Sequence, residues 1–287
     1  MNYPKVFIII LNYNGKDVVS RCLSSVFKLN YPNFEVVFVD NNSTDGSLEA
    51  ARRNFSKANF IKNEENLGFG AGNNIGFRFA LERKADFVLA LNYDTEVDAD
   101  FLTKLIAVAN QDEKIGILSP VIFDGRTKQV WFSGGEIDWF RMISRNLKNV
   151  PANEFWESDF ITGCSMLIRA EVCKKIGLFD EDYFLYWEDA DFSLRAKKAG
   201  FKTVVVSASW VDHFEKSETH NRSNKIYWLV LSGLIFFKKN TPAWLRPWMG
   251  AYFMARRAKN WLDVKFRKTE LALVVQKAYR DYKIIYC

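Results

Sequence analysis

Apolar residues run unbroken from Val6 to Leu11 and stop at Asn12. Such a run predicts a strand covered on both faces, and it is too short for a signal-peptide core or a bilayer span. Lys16–Leu29 has the spacing of an amphipathic helix, and Phe34–Asp40, ending in VFVD, predicts a second strand. The polar run Asn41-Asn42-Ser43-Thr44-Asp45-Gly46-Ser47 predicts a turn feeding a helix capped by Ser43, Thr44 or Asp45. A short strand at Phe60–Lys62, a helix at Ala71–Arg83 and a strand at Asp86–Leu91 follow. This alternation predicts an α/β fold whose mostly parallel sheet is flanked by helices. Ligands of such sheets bind beyond the carboxyl ends of the strands. Asn12, Asp40 and Asn92-Tyr93-Asp94 all fall there.

The stretch Gly177–Gly200 holds six carboxylates, three of them in Glu188-Asp189-Ala190-Asp191 directly after the aromatic run Tyr183–Trp187. Phe192, Ala196 and Ala199 recur at helical spacing and Gly200 is a stop signal. Glu188 and Asp189 therefore sit at a helix N-terminus, where exposed N–H groups favour negative charge. An acidic cap on a solvated helix is one reading. The other is a general base, because aromatic neighbours desolvate a carboxylate and raise its proton affinity. For Asp191 the plain alternative is an ion pair with Arg195, four residues along the helix.

The glycine-rich segment Asn66–Gly76 is not a dinucleotide fingerprint. Counting from Gly68, the third glycine is Asn73, and the segment follows the second strand–helix unit instead of the first. A glycine-rich helix start can still approach a phosphate or ribose closely. Asp94, at a strand end beside a crevice, suits a hard divalent cation that bridges phosphates. The chain has two histidines, His213 and His220, which excludes a multi-histidine metal site.

Composition adds a division of charge. The chain of 287 residues is net +6, yet from Lys216 onward it carries 15 Lys and Arg against 4 Asp and Glu. That segment is therefore +11 and the remainder −5. Trp244, Trp248, Tyr252, Phe253 and Trp261 interleave with Arg246, Arg256, Arg257, Lys259 and Lys265, as in a helix lying on anionic lipid. The alternatives are a helical cap on the body of the protein or an oligomer contact. Ile226–Phe237 is apolar but too short to span a bilayer. No nucleic-acid-binding module is present. The four cysteines (Cys22, Cys164, Cys173 and Cys287) show no paired spacing and read as reduced thiols of a cytoplasmic protein.

In order, IIILNYNG, VDNNSTDGS, NLGFGAGNNIG, LNYDT, ITGCSMLIR, GLFDEDYFLYWEDADFSLRAKKAG and HFEKS resemble a family 2 glycosyltransferase of GT-A fold. Within it the chain is most similar to rhamnosyltransferase-like enzymes of cell-surface polysaccharide synthesis. The likeness covers roughly Lys5 to Asn240. It implies residues 1–215 as a nucleotide-sugar-binding and catalytic domain, with residues 216–287 as a helical extension. It implies an inverting, metal-dependent transfer, using Mg2+ or Mn2+. The donor is a nucleotide-diphosphate sugar, dTDP-rhamnose favoured over a UDP-sugar. The acceptor is a glycan or a polyprenyl-diphosphate-linked hydroxyl at the inner face of the cell membrane. Asp189 matches the base of the family's ED motif, with Glu188 beside it. Asn12, Asp40, Asn42, Gly68, Asn73 and Asn92 would line the nucleotide site. Asp94 matches the second acid of the family's D-x-D metal motif and His213 a histidine that completes the metal and diphosphate site. Trp187 and Asp191 would face the acceptor. Asn92 departs from the motif's first acid and leaves one fewer negative ligand. A glycosidase would also offer two carboxylates, but a diphosphate leaving group held by a metal needs no acid to protonate it. The reading from another class is a non-catalytic nucleotide-sugar-binding or scaffold protein.

Overall fold

The computed structural model describes residues 3–215, 222–267 and 269–286, with side chains through 284. Lys216–Asn221, which include His220 and the end of the HFEKS segment, lie outside the described residues, as does Cys287.

Strand β1 (Val6–Asn12) is buried along its whole length. It lies between β2 (Phe34–Asp40) and a later strand, β4 (Phe87–Asn92), parallel to both. A strand in the middle of a parallel sheet has two covered faces, which explains its unbroken apolar run. Beyond β2 the parallel set continues with β3 (Asn59–Lys62). Past β4 the sheet becomes mixed. β11 (Ser165–Arg169) runs antiparallel to β4 and to β6 (Ile115–Asp124). β12 (Lys202–His213) is parallel to β6, and β10 (Phe155–Glu157) closes that edge antiparallel to β12. The order is β10-β12-β6-β11-β4-β1-β2-β3, with β5 (Thr95–Val97) paired to β12 and β7 (Val130–Phe132) to β6. A separate hairpin joins β8 (Gly135–Asp138) to β9 (Ile143–Asn146).

Alternate residues of β1 enter different cores, as the two-residue period of a strand requires. Val6, Ile8 and Ile10 pack with α1 (Val19–Val26), α2 (Ser47–Asn54) and α4 (Phe101–Ala109). Phe7, Ile9 and Leu11 pack with α3 (Gly68–Glu82), α5 (Ala170–Ile176) and α6 (Glu188–Lys198). The second core also takes in α7 (Arg222–Asn240) through Leu231, Ile235, Phe236 and Phe237. Two further helices follow, α8 (Arg246–Leu262) and α9 (Glu270–Tyr286). No helix among the described residues is long and apolar enough to cross a membrane.

Several boundaries differ from the sequence expectations for identifiable reasons. The helix expected over Lys16–Leu29 is confined to Val19–Val26. Its entry is a turn in which the Gly15 carbonyl accepts from Val18 and Val19, while the Lys16 N–H goes to the Asp45 carboxylate at 2.8 Å. The next helix starts at Ser47 after a left-handed Gly46, and Asp45 accepts the Ser47 N–H at 3.0 Å. Thr203–Val206 belong to the first part of a twelve-residue strand, with a register shift between Val206 and Trp210. That irregularity spans Ser207-Ala208-Ser209 and masks the continuity in the sequence. His213 is accordingly the last residue of β12.

The helix expected from Ala71 begins at Gly68. Gly68 has φ +80, and a Cβ there would collide with the Phe184 carbonyl oxygen. The next residue, Phe69, donates its N–H to that same carbonyl at 2.7 Å. Gly68→Ala should therefore cost roughly 2–4 kcal/mol, from the left-handed backbone and the overpacking together. The urea midpoint at unchanged m-value measures it. A loss below about 1 kcal/mol would mean that the 184 segment moves aside at little cost.

Candidate active site

At the carboxyl ends of β1 and β2 the polar side chains bond mainly to one another. Asp40 is fully buried, and its carboxylate accepts from Asn12 Nδ2 at 2.8 Å and from the Ser43 N–H at 2.9 Å. Asn12 Nδ2 also lies 3.0 Å from Ser43 Oγ and 2.9 Å from Ser47 Oγ. These contacts fix the loop over residues 41–47. Asn42, left-handed at φ 61, donates to the Glu64 carbonyl at 2.8 Å. Asn73 donates back to the Phe69 carbonyl at 3.0 Å within α3. Asp40 and Asn73 are thus engaged within the protein, whereas Asn12 keeps a buried Oδ1 with no partner among the described residues. Asn41 is the link that the sequence reading passed over. It donates to the Gly68 carbonyl at 2.9 Å and accepts from Asn63 Nδ2 at 2.7 Å, tying the β2 end to the start of α3.

The end of β4 carries Asn92, Tyr93 and Asp94. The Asn92 carbonyl accepts from Thr95 Oγ1 at 2.7 Å and from Cys22 Sγ at 3.5 Å, and its N–H donates to the Cys164 carbonyl at 2.9 Å. Asp94 Oδ1 lies 3.2 Å from His213 Nε2 at the end of β12, because β5, just past Asp94, pairs with β12. Asp94 Oδ1 and His213 Nδ1 are both buried with no hydrogen-bond partner among the described residues. Burial opposes a charged imidazole, but the Cys164 sulfur and the Asp94 carboxylate more than offset it and leave His213 raised above its ordinary value. The Trp131 ring packs edge-on against the imidazole, with centroids 4.8 Å apart.

Glu188 and Asp189 open α6, as the sequence predicts. Tyr186 and Trp187 precede them in consecutive left-handed conformations, φ 68 and 73. Such residues cost about 1–3 kcal/mol each and persist only where their surroundings hold them. Here α7 holds them. Ser232 Oγ donates to the Leu185 carbonyl at 2.8 Å, and Trp187 Nε1 donates to the Leu229 carbonyl at 3.2 Å. The indole also packs on Phe236, with ring centroids 4.6 Å apart. Asp189 accepts the Gly163 N–H at 3.0 Å and the Ala190 N–H at 2.7 Å. Burial raises its pKa, and these N–H groups work against the rise. Gly163 and Cys164 therefore connect the Asp189 carboxylate to the Asn92 backbone across the site.

Glu188 is only 4% exposed, and its Oε2 has no partner among the described residues. Burial, and then the Asp189 charge, raise its pKa well above the usual carboxylate value. The native state therefore holds a proton that the unfolded chain has released, so stability falls as pH rises from about 4.5 towards the raised value. Glu188→Gln should remove that dependence and stabilise the fold at pH 8. Thermal melts at pH 4.5 and pH 8 measure it, and equal melting shifts at both would show that no titration is involved.

Trp187 and Asp191 are placed differently from the acceptor-facing positions anticipated for them. Trp187 is buried against α7. Asp191 is 3% exposed and binds Arg195 Nε at 2.7 Å and Asn240 Nδ2 at 2.8 Å. The i,i+4 ion pair weighed for Asp191 is thus formed, and both residues hold the ED segment from behind. Asn74 does the same from α3. It donates to the Phe179 carbonyl at 2.9 Å and accepts the Phe179 N–H at 3.0 Å. A buried asparagine inside a glycine-rich helix was its one sequence signal.

Among the described residues, no group of three or more His, Cys, Asp or Glu side chains is arranged to hold a metal. The donors fit one nevertheless. Asp94 Oδ1 and His213 Nδ1 have no hydrogen-bond partner among the described residues, and a carboxylate oxygen with an imidazole nitrogen is a donor set that suits a divalent cation.

A mixed, mostly parallel sheet with flanking helices in this order is a GT-A arrangement. A mannosyltransferase of Pyrobaculum calidifontis, solved with GDP-Man and Mn2+, matches it at a TM-score of 0.63 and 17% identity, over 100% of this chain and 89% of that one. The model of glycosyl transferase family 2 matches residues 7–177, and the chain belongs to that family. A low-salt glycan biosynthesis hexosyltransferase of Haloferax volcanii is 29% identical over 195 residues, 67% of this chain and 61% of that protein. An N-acetylglucosaminyl-diphospho-decaprenol L-rhamnosyltransferase of Mycobacterium tuberculosis is 24% identical over 239 residues, 74% of this chain and 76% of that protein.

Proposed function

We propose that the chain is an inverting, metal-dependent glycosyltransferase that moves a sugar from a nucleotide-diphosphate donor to a hydroxyl of a glycan or lipid-linked acceptor. Residues 1–215 would form the catalytic domain and residues 216–287 its extension. The observation that carries this reading is the pairing of two groups at one sheet edge. Asp189 is a desolvated carboxylate fixed by the Gly163 N–H, and Asp94 with His213 forms a buried pair with orphaned donor atoms. The chemistry of inversion needs both. A base must take the proton of the attacking hydroxyl, and Asp189 holds a lone pair for it. Mg2+ or Mn2+, when bound, would offset the charge that gathers on the departing diphosphate. Asp94 and His213 would orient that group, and Asn92 would contact the same oxygens. Asn12, Asn42 and Gly68 would border the nucleotide, with Asp40 and Asn73 as its structural backing. Glu188, buried beside Asp189, would stay protonated and leave the negative charge on the base. Trp187 and Asp191 would position the segment.

The name of the mycobacterial relative favours a rhamnosyl donor and a polyprenyl-diphosphate acceptor, and dTDP-rhamnose is the first donor to test. Release of nucleoside diphosphate from a panel of sugar nucleotides, with Mn2+ and with chelator, decides the reading. Metal-stimulated release from one donor supports it. Nucleotide binding without release from any donor, with acceptor analogues present, would establish the non-catalytic alternative.

A further inference from the structure

The C-terminal helices present a surface that the transfer chemistry does not use. α8 buries none of its seventeen residues, although it carries Trp248, Met254, Trp261 and Leu262, and Met254 is 70% exposed. So many large apolar side chains left in water on one helix mark an interaction surface. Between α7, α8 and α9 runs a groove of about 440 Å³, with Leu234, Phe253, Met254 and Tyr279 among its lining. That size is within the range of ordinary ligand sites. Lys238, Arg257 and Lys283 also line it. Arg257 and Lys283 have no ion-pair partner among the described residues.

An apolar groove edged by cations matches an amphiphile with a hydrocarbon chain and an anionic head. A free phosphate would use the cations and leave the apolar lining wet. The surroundings extend the match. The segment from Lys216 onward carries 15 basic against 4 acidic side chains, and Trp244 and Phe266 at either end of α8 are 72% and 70% exposed. Interleaved tryptophans and cations are the composition of a helix lying in a headgroup layer. We propose that the groove takes a hydrocarbon chain of an anionic phospholipid, its phosphate at Arg257 and Lys283, and that α8 lies along the bilayer surface.

The same helix ties this surface to the candidate site. Leu234 lines the groove, while its neighbour Gly233 lies against the Trp187 indole, directly before Glu188 and Asp189. A lipid-linked hydroxyl would then be presented on the side of the molecule where Asp189 is held. The lipid site itself rests on the groove and its charges and not on the glycosyltransferase reading, so each can fail without the other.

The test is cosedimentation of the full chain with phosphatidylglycerol or phosphatidylcholine vesicles, at low and at high salt. Wild type should pellet with phosphatidylglycerol at low salt, be released at high salt, and stay largely free of phosphatidylcholine. Arg257→Gln with Lys283→Gln should weaken partitioning roughly tenfold or more. Gly250→Phe probes the groove without changing charge. A Cβ at Gly250 meets nothing within 4 Å, so the ring can fill the groove, and pelleting should fall. Wild type that stays in the supernatant with phosphatidylglycerol at low salt overturns the proposal. So does a folded Gly250→Phe variant that pellets like wild type. A concentration-dependent dimer that Gly250→Phe abolishes, seen by light scattering without vesicle binding, would give the groove to a second copy of the chain instead.

Discussion

Asp189→Asn should bind donor nucleotide nearly as wild type does and lose roughly 10²–10⁴-fold of its turnover. The change removes the negative lone pair that would take the acceptor proton and leaves the shape of the side chain almost intact. It also has a local consequence. Both carboxylate oxygens accept backbone N–H groups, from Gly163 and Ala190, and an amide can satisfy only one of them with oxygen. A modest loss of stability should therefore accompany the loss of rate. Calorimetry with the nucleoside diphosphate separates the two, because a misfolded site would lose nucleotide affinity as well. Near wild-type turnover in the variant would move the base to Glu188, whose buried Oε2 has no partner among the described residues. Glu188→Gln would then become the deleterious change.

Asp94→Ala should abolish the metal-dependent part of nucleotide binding. Loss of a mere outer-shell partner costs a metal site roughly 10–100-fold in affinity, and a direct ligand should cost at least that. Titration of the nucleoside diphosphate with Mn2+ and with chelator measures it, and binding without metal should change little. His213→Ala should act in the same direction, since its Nε2 lies 3.2 Å from Asp94 Oδ1. Metal dependence that survives His213→Ala unchanged would reduce His213 to a packing partner of Trp131. Asn92→Asp would restore the missing negative ligand and should tighten metal binding. If it does not, Asn92 lies outside the coordination sphere.

The α7 contacts show why these substitutions cannot be read from the site residues alone. Leu185 and Trp187 are bonded to a helix some forty residues further on, and they flank or form the left-handed pair Tyr186-Trp187. In the sequence the aromatic run before Glu188 looks like surface desolvating the base. In the structure that segment is held by α7, which fixes the entry to Glu188 and Asp189.

The sequence by itself determined what local periodicity and end-of-strand chemistry can carry. The unbroken run Val6–Leu11 could only be a covered strand. The positions Asn12, Asp40 and Asp94 fell at strand ends, and Glu188 and Asp189 fell at a helix start, because these features are set within a few residues of chain. The tertiary structure decided the rest. The antiparallel insertion of β11 and the shifted register of β12 depend on pairing between segments far apart in the chain, and that pairing brings His213 to Asp94. Whether a polar side chain faces the crevice or its wall depends on neighbours from other elements. Asp40 is consumed by Asn12 and Ser43, and Asp191 by Arg195 and Asn240, whereas Glu188 and Asp94 keep unpartnered oxygens. No local pattern encodes that difference, because it is settled by long-range burial and by which donors other elements bring within reach.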